Sequence, residues 1–170
     1  MHSLDLFQYC PKCGSPRFVN HNIKSRKCEV CGFIYYLNPS AATAAFIINS
    51  ENQLLVARRA KDPAKGTYDL PGGFVDYNEP GEEAIIREIK EETGLLLSDP
   101  EYLFSLPNNY LYSDLNIPTL DLFYCFHLKE TPAIHAADDV SELFFLSKEE
   151  IDPADFGLDS IRKAVSLFIQ

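Results

Sequence analysis

Basic residues and long apolar stretches are both scarce in this sequence. Its 170 residues include 15 Lys and Arg against 25 Asp and Glu, so the formal net charge is −10. A protein this acidic lacks the electrostatic footprint that long nucleic acids require, so no nucleic-acid polymer is expected as a partner. No apolar run approaches the roughly 18 residues of a membrane-spanning helix, which excludes a membrane partner of that kind.

Two further signals are missing. Residues 1–5 show no basic segment followed by an apolar stretch, which is the pattern of a secretory signal. We therefore expect a cytoplasmic protein. No Gly-x4-Gly-Lys-Ser/Thr motif is present, which excludes a P-loop kinase on motif grounds.

Four of the five cysteines form two close pairs, Cys10-x-x-Cys13 and Cys28-x-x-Cys31. A two-residue gap lets both thiolates of a pair reach one ion, and two such pairs can complete a tetrahedral four-sulfur shell. Disulfides are not expected without an export signal, and a redox role would need a thioredoxin-like context that is absent. The pattern therefore predicts a structural zinc ion.

The cysteine pairs lie in a segment that differs from the rest of the chain. Residues 1–37 are too short to bury a core of their own, so four reduced cysteines without a metal would leave this segment without a source of stability. We predict a zinc ribbon here, a break at Asn38-Pro39, and a second domain over residues 38–170. The fifth cysteine, Cys125, lies in an apolar stretch and is expected to be a small core residue.

Residues 38–170 contain both strand-like and helix-like patterns, so the expected fold class is α+β. Strands are predicted where short apolar runs end at turn residues, and a loop rich in Asn, Tyr and Pro is predicted between residues 106 and 119. Ser147 and Glu150 have the spacing of a capping box that opens a short helix. The predicted strands are 41–48, 53–57, 68–70, 101–106, 119–128 and 143–146, and the predicted helices are 80–93 and 159–169.

The helix over residues 80–93 carries a dense group of carboxylates. At about 100° per residue, Glu88, Glu91 and Glu92 fall within an arc of roughly 100°, beside isoleucines that would face a sheet. Arg87 is four residues before Glu91 and can pair with it. Carboxylates at these spacings repel one another, and magnesium or manganese would relieve the repulsion because both prefer oxygen ligands. A solvated acidic helix face is the alternative interpretation.

The segment 73–95 resembles the Nudix box, Gly-x5-Glu-x7-Arg-Glu-U-x-Glu-Glu-x-Gly-U, where U is a bulky aliphatic residue. The resemblance implies a Nudix fold, which is a mixed β-sheet in an α/β/α sandwich, and a pyrophosphohydrolase activity. It also implies that Glu79 and Arg87 brace the loop against the helix. Every fixed position is matched, by Gly73, Glu79, Arg87, Glu88, Ile89, Glu91, Glu92, Gly94 and Leu95.

The same resemblance implies a set of metal ligands. The carboxylates of Glu88, Glu91 and Glu92 and the backbone carbonyl of Gly72 would bind magnesium or manganese. Bound cations would neutralise the charge of a diphosphate and lower the pKa of bound water.

Hydrolysis also needs a group that accepts a proton from the attacking water. Glu88 of the box is our first candidate. Asp139 and Glu142 are the alternatives, because related enzymes often place an acidic residue just before the strand predicted at 143–146. Ordinary surface charge is the other interpretation of these two acids.

A zinc ribbon ahead of a Nudix domain is similar to the arrangement in the bacterial NADH pyrophosphatase family, whose members are often dimers, so a homodimer is expected. That family carries a Ser-Gln-Pro-Trp-Pro-Phe-Pro-x-Ser motif after the box. This sequence has no tryptophan and reads Ser-Leu-Pro-Asn-Asn-Tyr-Leu-Tyr-Ser over residues 105–113. The resemblance thus implies a small nucleotide substrate, a nucleoside diphosphate linked to another group. It leaves NADH, ADP-ribose, another dinucleotide and a sugar nucleotide open.

Four residues outside the box are candidates for substrate contacts. Tyr110 and Tyr112 can stack on a base, with packing as the alternative. Arg58 and Arg59 follow a predicted strand and can contact phosphates, with ordinary surface arginines as the alternative.

Two other functions are compatible with the same box. A hydrolase that removes modified nucleoside triphosphates would differ only in its substrate pocket. A non-catalytic Nudix sensor would bind an ADP-ribose-like ligand, but such regulators usually lack part of the box or carry a DNA-binding extension. This sequence has an intact box and no segment that fits such an extension.

Overall fold

The computed structural model of the chain describes residues 3–169. Its first part is a three-stranded antiparallel sheet of β1 (Phe18–Asn22), β2 (Ser25–Cys28) and β3 (Ile34–Tyr36), preceded by a 3-10 turn at Ser3–Leu6. The small core beneath this sheet consists of the buried residues Cys10, Phe18 and Cys28, with Phe7, Phe33 and Tyr35 packed against them. Two of these three buried residues are cysteines, so the cysteines form a large part of this core.

The second sheet has six strands and is mixed. Its order is β6-β5-β4-β8-β7, and β9 pairs with β5. Only β4 and β8 are parallel; the other pairs are antiparallel. The strands are β4 (Ser40–Ile48), β5 (Leu54–Arg59), β6 (Tyr68–Asp69), β7 (Glu101–Tyr112), β8 (Leu115–His127) and β9 (Val140–Leu146).

The loop predicted between residues 106 and 119 is wrong. Strands β7 and β8 instead continue into a long hairpin that pairs as far as Tyr112 and Leu115. Pro107 is tolerated because β7 is an edge strand, and Pro118 precedes Thr119, the first β8 residue that pairs with β4. Cross-strand pairing therefore outweighs the local turn preference of the Asn and Pro residues.

Helices α1 (Gly81–Thr93) and α2 (Asp159–Phe168) cover opposite faces of this sheet. Ile85 and Ile89 of α1 are fully buried with alternate β4 residues, whereas α2 packs on the intervening ones. Burying each isoleucine stabilises the fold by about 1.5–3 kcal/mol. The expected α/β/α sandwich with a mixed sheet is confirmed.

The ends of α1 differ slightly from expectation. Gly94 ends the helix as predicted, with φ of 75° and its N–H donating to the Lys90 carbonyl at 3.0 Å. Pro80 was expected as the first helical residue but lies one position earlier, in an extended conformation, and Gly81 begins the helix. The missing N–H of proline is equally harmless at both positions.

The remaining helical segments follow the sequence closely. Ser147 and Glu150 form the predicted capping box, which opens a 3-10 turn at Lys148–Glu150. Among residues 3–169, no helix combines the length and apolar character needed to cross a membrane.

Candidate active site

A cavity of about 390 Å³ lies between the loop before α1, the main sheet and the start of α2. Its volume falls in the range of small-molecule sites, roughly 300–1,000 Å³. Carboxyl groups dominate its polar lining, which makes it a place where cations would be attracted. These acids are Asp69, Asp76, Glu88, Glu91, Glu92, Asp121, Asp138 and Asp139.

Glu92 is the most deeply buried box carboxylate, with 6% of its surface exposed. Its Oε2 accepts a hydrogen bond from the Gly72 amide at 2.9 Å. Burial raises the pKa of Glu92 to about 9; the Gly72 hydrogen bond opposes this rise, while the charges of Asp69 and Glu88 add to it. Within residues 3–169, Glu92 forms no ion pair with a basic side chain. A buried carboxyl without a cationic partner fits a cation site.

Two consecutive glycines let the loop pass close to this carboxylate group. Gly72 has a φ of 149°, and a Cβ there would lie 2.2 Å from the Thr43 carbonyl oxygen. A Cβ on Gly73 would lie 2.5 Å from the carboxyl carbon of Glu88. Glycine is therefore required at position 72, where a side chain would collide with the backbone of β4, whereas a side chain at position 73 would displace the carboxyl end of Glu88.

The backbone of this loop is held to β4 on either side of Gly72. The Pro71 carbonyl accepts a hydrogen bond from Ala45 and the Gly73 carbonyl accepts one from Thr43. The Gly72 carbonyl lies between these two bonds and does not pair with β4. Its oxygen is therefore available to bind a cation.

Arg87 joins the loop to the helix. Its guanidinium donates to both carboxylate oxygens of Glu79 at 2.9 Å and to the Phe74 carbonyl at 3.1 Å. It also reaches Glu88 at 2.7 Å and Glu91 at 3.2 Å. The hydrogen bonds from Arg87 lower the pKa of Glu79, whereas burial raises the pKa of Glu88 despite its contact with Arg87. The bidentate contact fixes the position from which Glu88 extends into the cavity.

The opposite wall contains a buried ion pair. The Arg59 guanidinium contacts the Asp69 carboxylate, and both side chains are largely shielded from solvent. Arg59 also lies 3.4 Å from the hydroxyl oxygen of Tyr110, whose ring contacts Phe74 edge-to-face with centroids 5.3 Å apart. The structure thus brings Arg59 and Tyr110 to the cavity, with Arg59 already engaged by a carboxylate.

The acidic residues at the start of β9 and just before it are divided between the cavity lining and the outer surface. Asp138 and Asp139 line the cavity, where Asp139 pairs with Lys61. Glu142 does not line it and instead accepts a hydrogen bond from Arg58 at 2.7 Å. Alternation along β9 turns Glu142 away from the glutamates of α1.

Two of the predicted substrate residues also lie outside the cavity lining. Arg58 stacks over the ring of Tyr68 at 4.9 Å from its centroid, so its guanidinium is held by packing and by Glu142. Tyr112 lies at the end of the β7–β8 hairpin and is 63% exposed. Neither residue is placed near the glutamates of α1.

Several polar cavity residues were missed from the sequence, chiefly Asp69 and Asp121. The sequence could have indicated that Asp121 is buried, because Asp121, Phe123 and Cys125 occupy alternate positions along β8 and so point to the same side of the sheet. Both of the other residues are buried. A carboxylate at a core position of a strand suggests a functional site. Asp69 gave no comparable signal, since β6 has only two residues.

The four ribbon cysteines form a second candidate metal site. Their sulfur atoms all lie within 4.8 Å of one another, and none is in a disulfide. Such a four-sulfur set, on two tight turns, has the donor type and number that zinc prefers. Cys125 is buried in β8, as expected for a core residue.

Comparison with known proteins identifies a family. The family model described as "NUDIX domain" matches residues 38–167. Over 80 residues the chain is 45% identical to an ADP-ribose pyrophosphatase of Methanocaldococcus jannaschii, covering 47% of this chain and 46% of that protein. Over 108 residues it is 31% identical to an NAD-capped RNA hydrolase NudC of Vibrio atlanticus, covering 62% of this chain and 39% of that protein. The chain thus matches less than half the length of these relatives.

The fold has a counterpart among solved structures. A NUDIX hydrolase from Nitrosomonas europaea superimposes with a TM-score of 0.71 at 21% identity, covering 95% of this chain and 90% of that one. At this level of identity the likeness shows the fold alone.

Proposed function

This chain belongs to the NUDIX domain family, and from that premise we propose that it hydrolyses the pyrophosphate linkage of a nucleoside diphosphate joined to another group. ADP-ribose and NAD-like dinucleotides are the proposed substrates. The observation that carries the proposal is the position of Glu88 and Glu92, whose carboxyls line a nucleotide-sized cavity beside two glycines. The names of the relatives from Methanocaldococcus jannaschii and Vibrio atlanticus support this substrate class.

Magnesium or manganese would be held by Glu88, Glu91, Glu92 and the Gly72 carbonyl. The donor set fits these cations because it consists of oxygens and because Glu92 is buried without a cationic partner. When bound, the divalent cation neutralises phosphate charge and activates water.

The side chains of the protein have separable tasks in this proposal. Arg87 and Glu79 are positioning residues, since they fix the loop and helix that carry the carboxylates. Glu88 is proposed to accept the proton of the attacking water, because its carboxyl lines the cavity and burial raises its pKa. Asp139 remains the alternative because it lines the same cavity, whereas Glu142 does not.

The structural zinc ion is the second proposed metal, bound by Cys10, Cys13, Cys28 and Cys31. The division into a ribbon over residues 1–37 and a hydrolase domain over 38–170 remains a prediction. The cytoplasmic location and the homodimer expected from the sequence also remain predictions.

A substrate panel tests the proposed function. The purified protein is incubated with magnesium or manganese and ADP-ribose, NADH, a sugar nucleotide, or ordinary and oxidised nucleoside triphosphates, and the products are identified by chromatography. We expect hydrolysis of a linked nucleoside diphosphate into two monophosphates. Selective hydrolysis of oxidised triphosphates would instead support a hydrolase that removes modified nucleoside triphosphates. Binding of ADP-ribose without turnover would support a sensor.

A matched pair of variants controls the panel. Glu92→Gln removes a proposed metal ligand, and Glu83→Gln makes the same chemical change on the exposed first turn of α1. Activity that disappears in Glu92→Gln and persists in Glu83→Gln belongs to this site rather than to a contaminating hydrolase.

A further inference from the structure

The cavity continues beyond the glutamates to a region next to α2. We call this region the α2 end; it consists of Asn108, Thr119, Asp121, Leu158 and Ile161. Ile161 belongs to the core on the α2 face of the sheet, whereas Glu88 and Glu92 come from α1 on the other face. The cavity therefore has two chemically different ends.

Asp121 is the main polar group of the α2 end and is only 5% exposed. Its Oδ1 accepts a hydrogen bond from the Thr119 hydroxyl at 2.6 Å, and its Oδ2 accepts one from the Ser160 hydroxyl at 2.5 Å. Both oxygens of Asp121 are thus held by hydroxyl groups of the protein. Each oxygen has a second lone pair, so Asp121 can accept further hydrogen bonds from a group in the cavity.

The five residues of the α2 end include no basic side chain. Arg59 pairs with Asp69, but within residues 3–169 no Lys or Arg side chain forms an ion pair with Asp121. The α1 end would gain cations with the proposed metal site, whereas the α2 end has no comparable ligand set. Phosphate groups are therefore attracted to the α1 end and repelled from the α2 end.

The walls beside Asp121 are apolar. Half-buried Leu158 and Ile161, which is 4% exposed, come from the start of α2 and give this end an apolar lining against which a flat ring can pack. A purine has such apolar faces, and an exocyclic amino group at its edge is a hydrogen-bond donor. Hypoxanthine lacks an exocyclic amino group and presents an oxo group, which a carboxylate repels, beside a single ring N–H donor.

We propose that the α2 end binds an uncharged purine that presents an exocyclic amino group to Asp121, and that this residue selects amino-bearing bases over hypoxanthine. The proposal rests on the proposed function for the placement of the phosphates at the α1 end. It assigns Asp121 as a residue that determines base specificity.

The test compares nucleotides that differ at this edge. In the presence of magnesium, the hydrolysis rates of ADP-ribose and GDP-ribose are compared with the rate for IDP-ribose, in which the base is hypoxanthine. If triphosphates are the substrates, ATP, GTP and ITP are compared in the same way. We expect kcat/KM for the preferred amino-bearing base to exceed that for hypoxanthine by about tenfold or more, mainly through KM. Equal kcat/KM values for all three bases in the wild-type protein would overturn the proposal.

Variants assign the preference to Asp121. Asp121→Asn keeps the shape but adds an amide donor, which can face an oxo group, so the preference should fall to about threefold or less. Asp99→Asn makes the same change on the surface and should keep the full preference. If the Asp121→Asn protein is folded, as judged by circular dichroism, and keeps the full base preference, the assignment of Asp121 is wrong.

A binding measurement separates this inference from the proposed function. Adenosine, guanosine and inosine are titrated at millimolar concentration against the zinc-loaded wild-type protein without added magnesium or manganese, with NMR chemical shifts as the readout. Tighter binding of an amino-bearing nucleoside than of inosine supports the inference even if no substrate is hydrolysed. Hydrolysis of the proposed substrates with equal binding of all three nucleosides would leave the proposed function standing and refute the inference.

Discussion

The Gly72 amide donates a hydrogen bond of 2.9 Å to the carboxylate of Glu92, twenty residues later in the chain. This contact joins the loop before α1 to the last turn of the helix. It also opposes the burial that raises the pKa of Glu92. The loop, the helix and the protonation of the site are therefore linked through one pair of residues.

Replacing Glu92 by Gln should abolish most of the activity without unfolding the protein. The amide cannot supply a negatively charged oxygen to a cation, so kcat should fall roughly 100-fold or more. Circular dichroism checks the fold, and Glu83→Gln is the control. Turnover equal to that of the wild type would remove Glu92 from the proposed metal site.

Without bound magnesium or manganese, the stability of the protein should decrease as the pH rises from about 5 to 9. The folded pKa of Glu92, about 9, lies above its ordinary value of 4.5, so the folded state binds the extra proton in this window. The contribution of Glu92 is complete below pH 4.5 and is lost as the pH rises through 9, with a slope of up to about 1.4 kcal/mol per pH unit.

Urea denaturation of the zinc-loaded protein, without added magnesium or manganese, at several pH values measures this slope. Glu92→Gln has no proton to lose and should show a flatter dependence. Added magnesium should stabilise the protein more at high pH, because the cation competes with the proton on Glu92. A wild-type slope identical to that of the variant would contradict the raised pKa.

Gly73→Ala should impair the site by displacing Glu88. The added Cβ would lie 2.5 Å from the Glu88 carboxyl carbon, so the end of the Glu88 side chain must shift, at a cost of about 0.5–1.5 kcal/mol in unfolding free energy. A double-mutant cycle with Glu88→Ala checks the cause, since removing the carboxyl should relieve most of the loss. Additive effects of the two substitutions would show that Gly73 matters for another reason.

Arg87→Lys should weaken the link between loop and helix even though it keeps the charge. Lysine cannot reproduce the bidentate contact with Glu79 together with the bond to the Phe74 carbonyl. We expect a loss of about 1–3 kcal/mol in unfolding free energy and a fall in kcat. Combining it with Glu79→Gln should add little, because the first change already breaks the contact.

The ribbon should contain one zinc ion per chain. Cys13→Ser should lower the zinc content and destabilise the first 37 residues, because the small core around the cysteines depends on the metal. Cys125→Ser is the matched control and should retain the zinc, since Cys125 lies in β8. Metal analysis by mass spectrometry decides between them, and a folded protein free of zinc would refute the ribbon assignment.

The ends of helices and turns were predictable from the sequence where they depend on neighbouring residues. The helix carrying the box ends at Gly94 as its glycine indicates, and the capping box at Ser147 forms. The strand pairing around Pro107 was not predictable, because the contact of β7 with β8 is a long-range interaction that no short window of sequence reports.

The arrangement of the box carboxylates and of the cysteine pairs was determined by the sequence alone. Helical periodicity and a two-residue gap between thiols are local, so the spacing of Glu88 and Glu92, or of Cys10 and Cys13, is sufficient to bring each pair together. Only the tertiary structure decided that Arg59 faces the cavity while Arg58 does not, and that Asp121 meets Ser160 across 39 positions. Those placements depend on strand register and on which helix covers each face, and both are set by packing of the whole core.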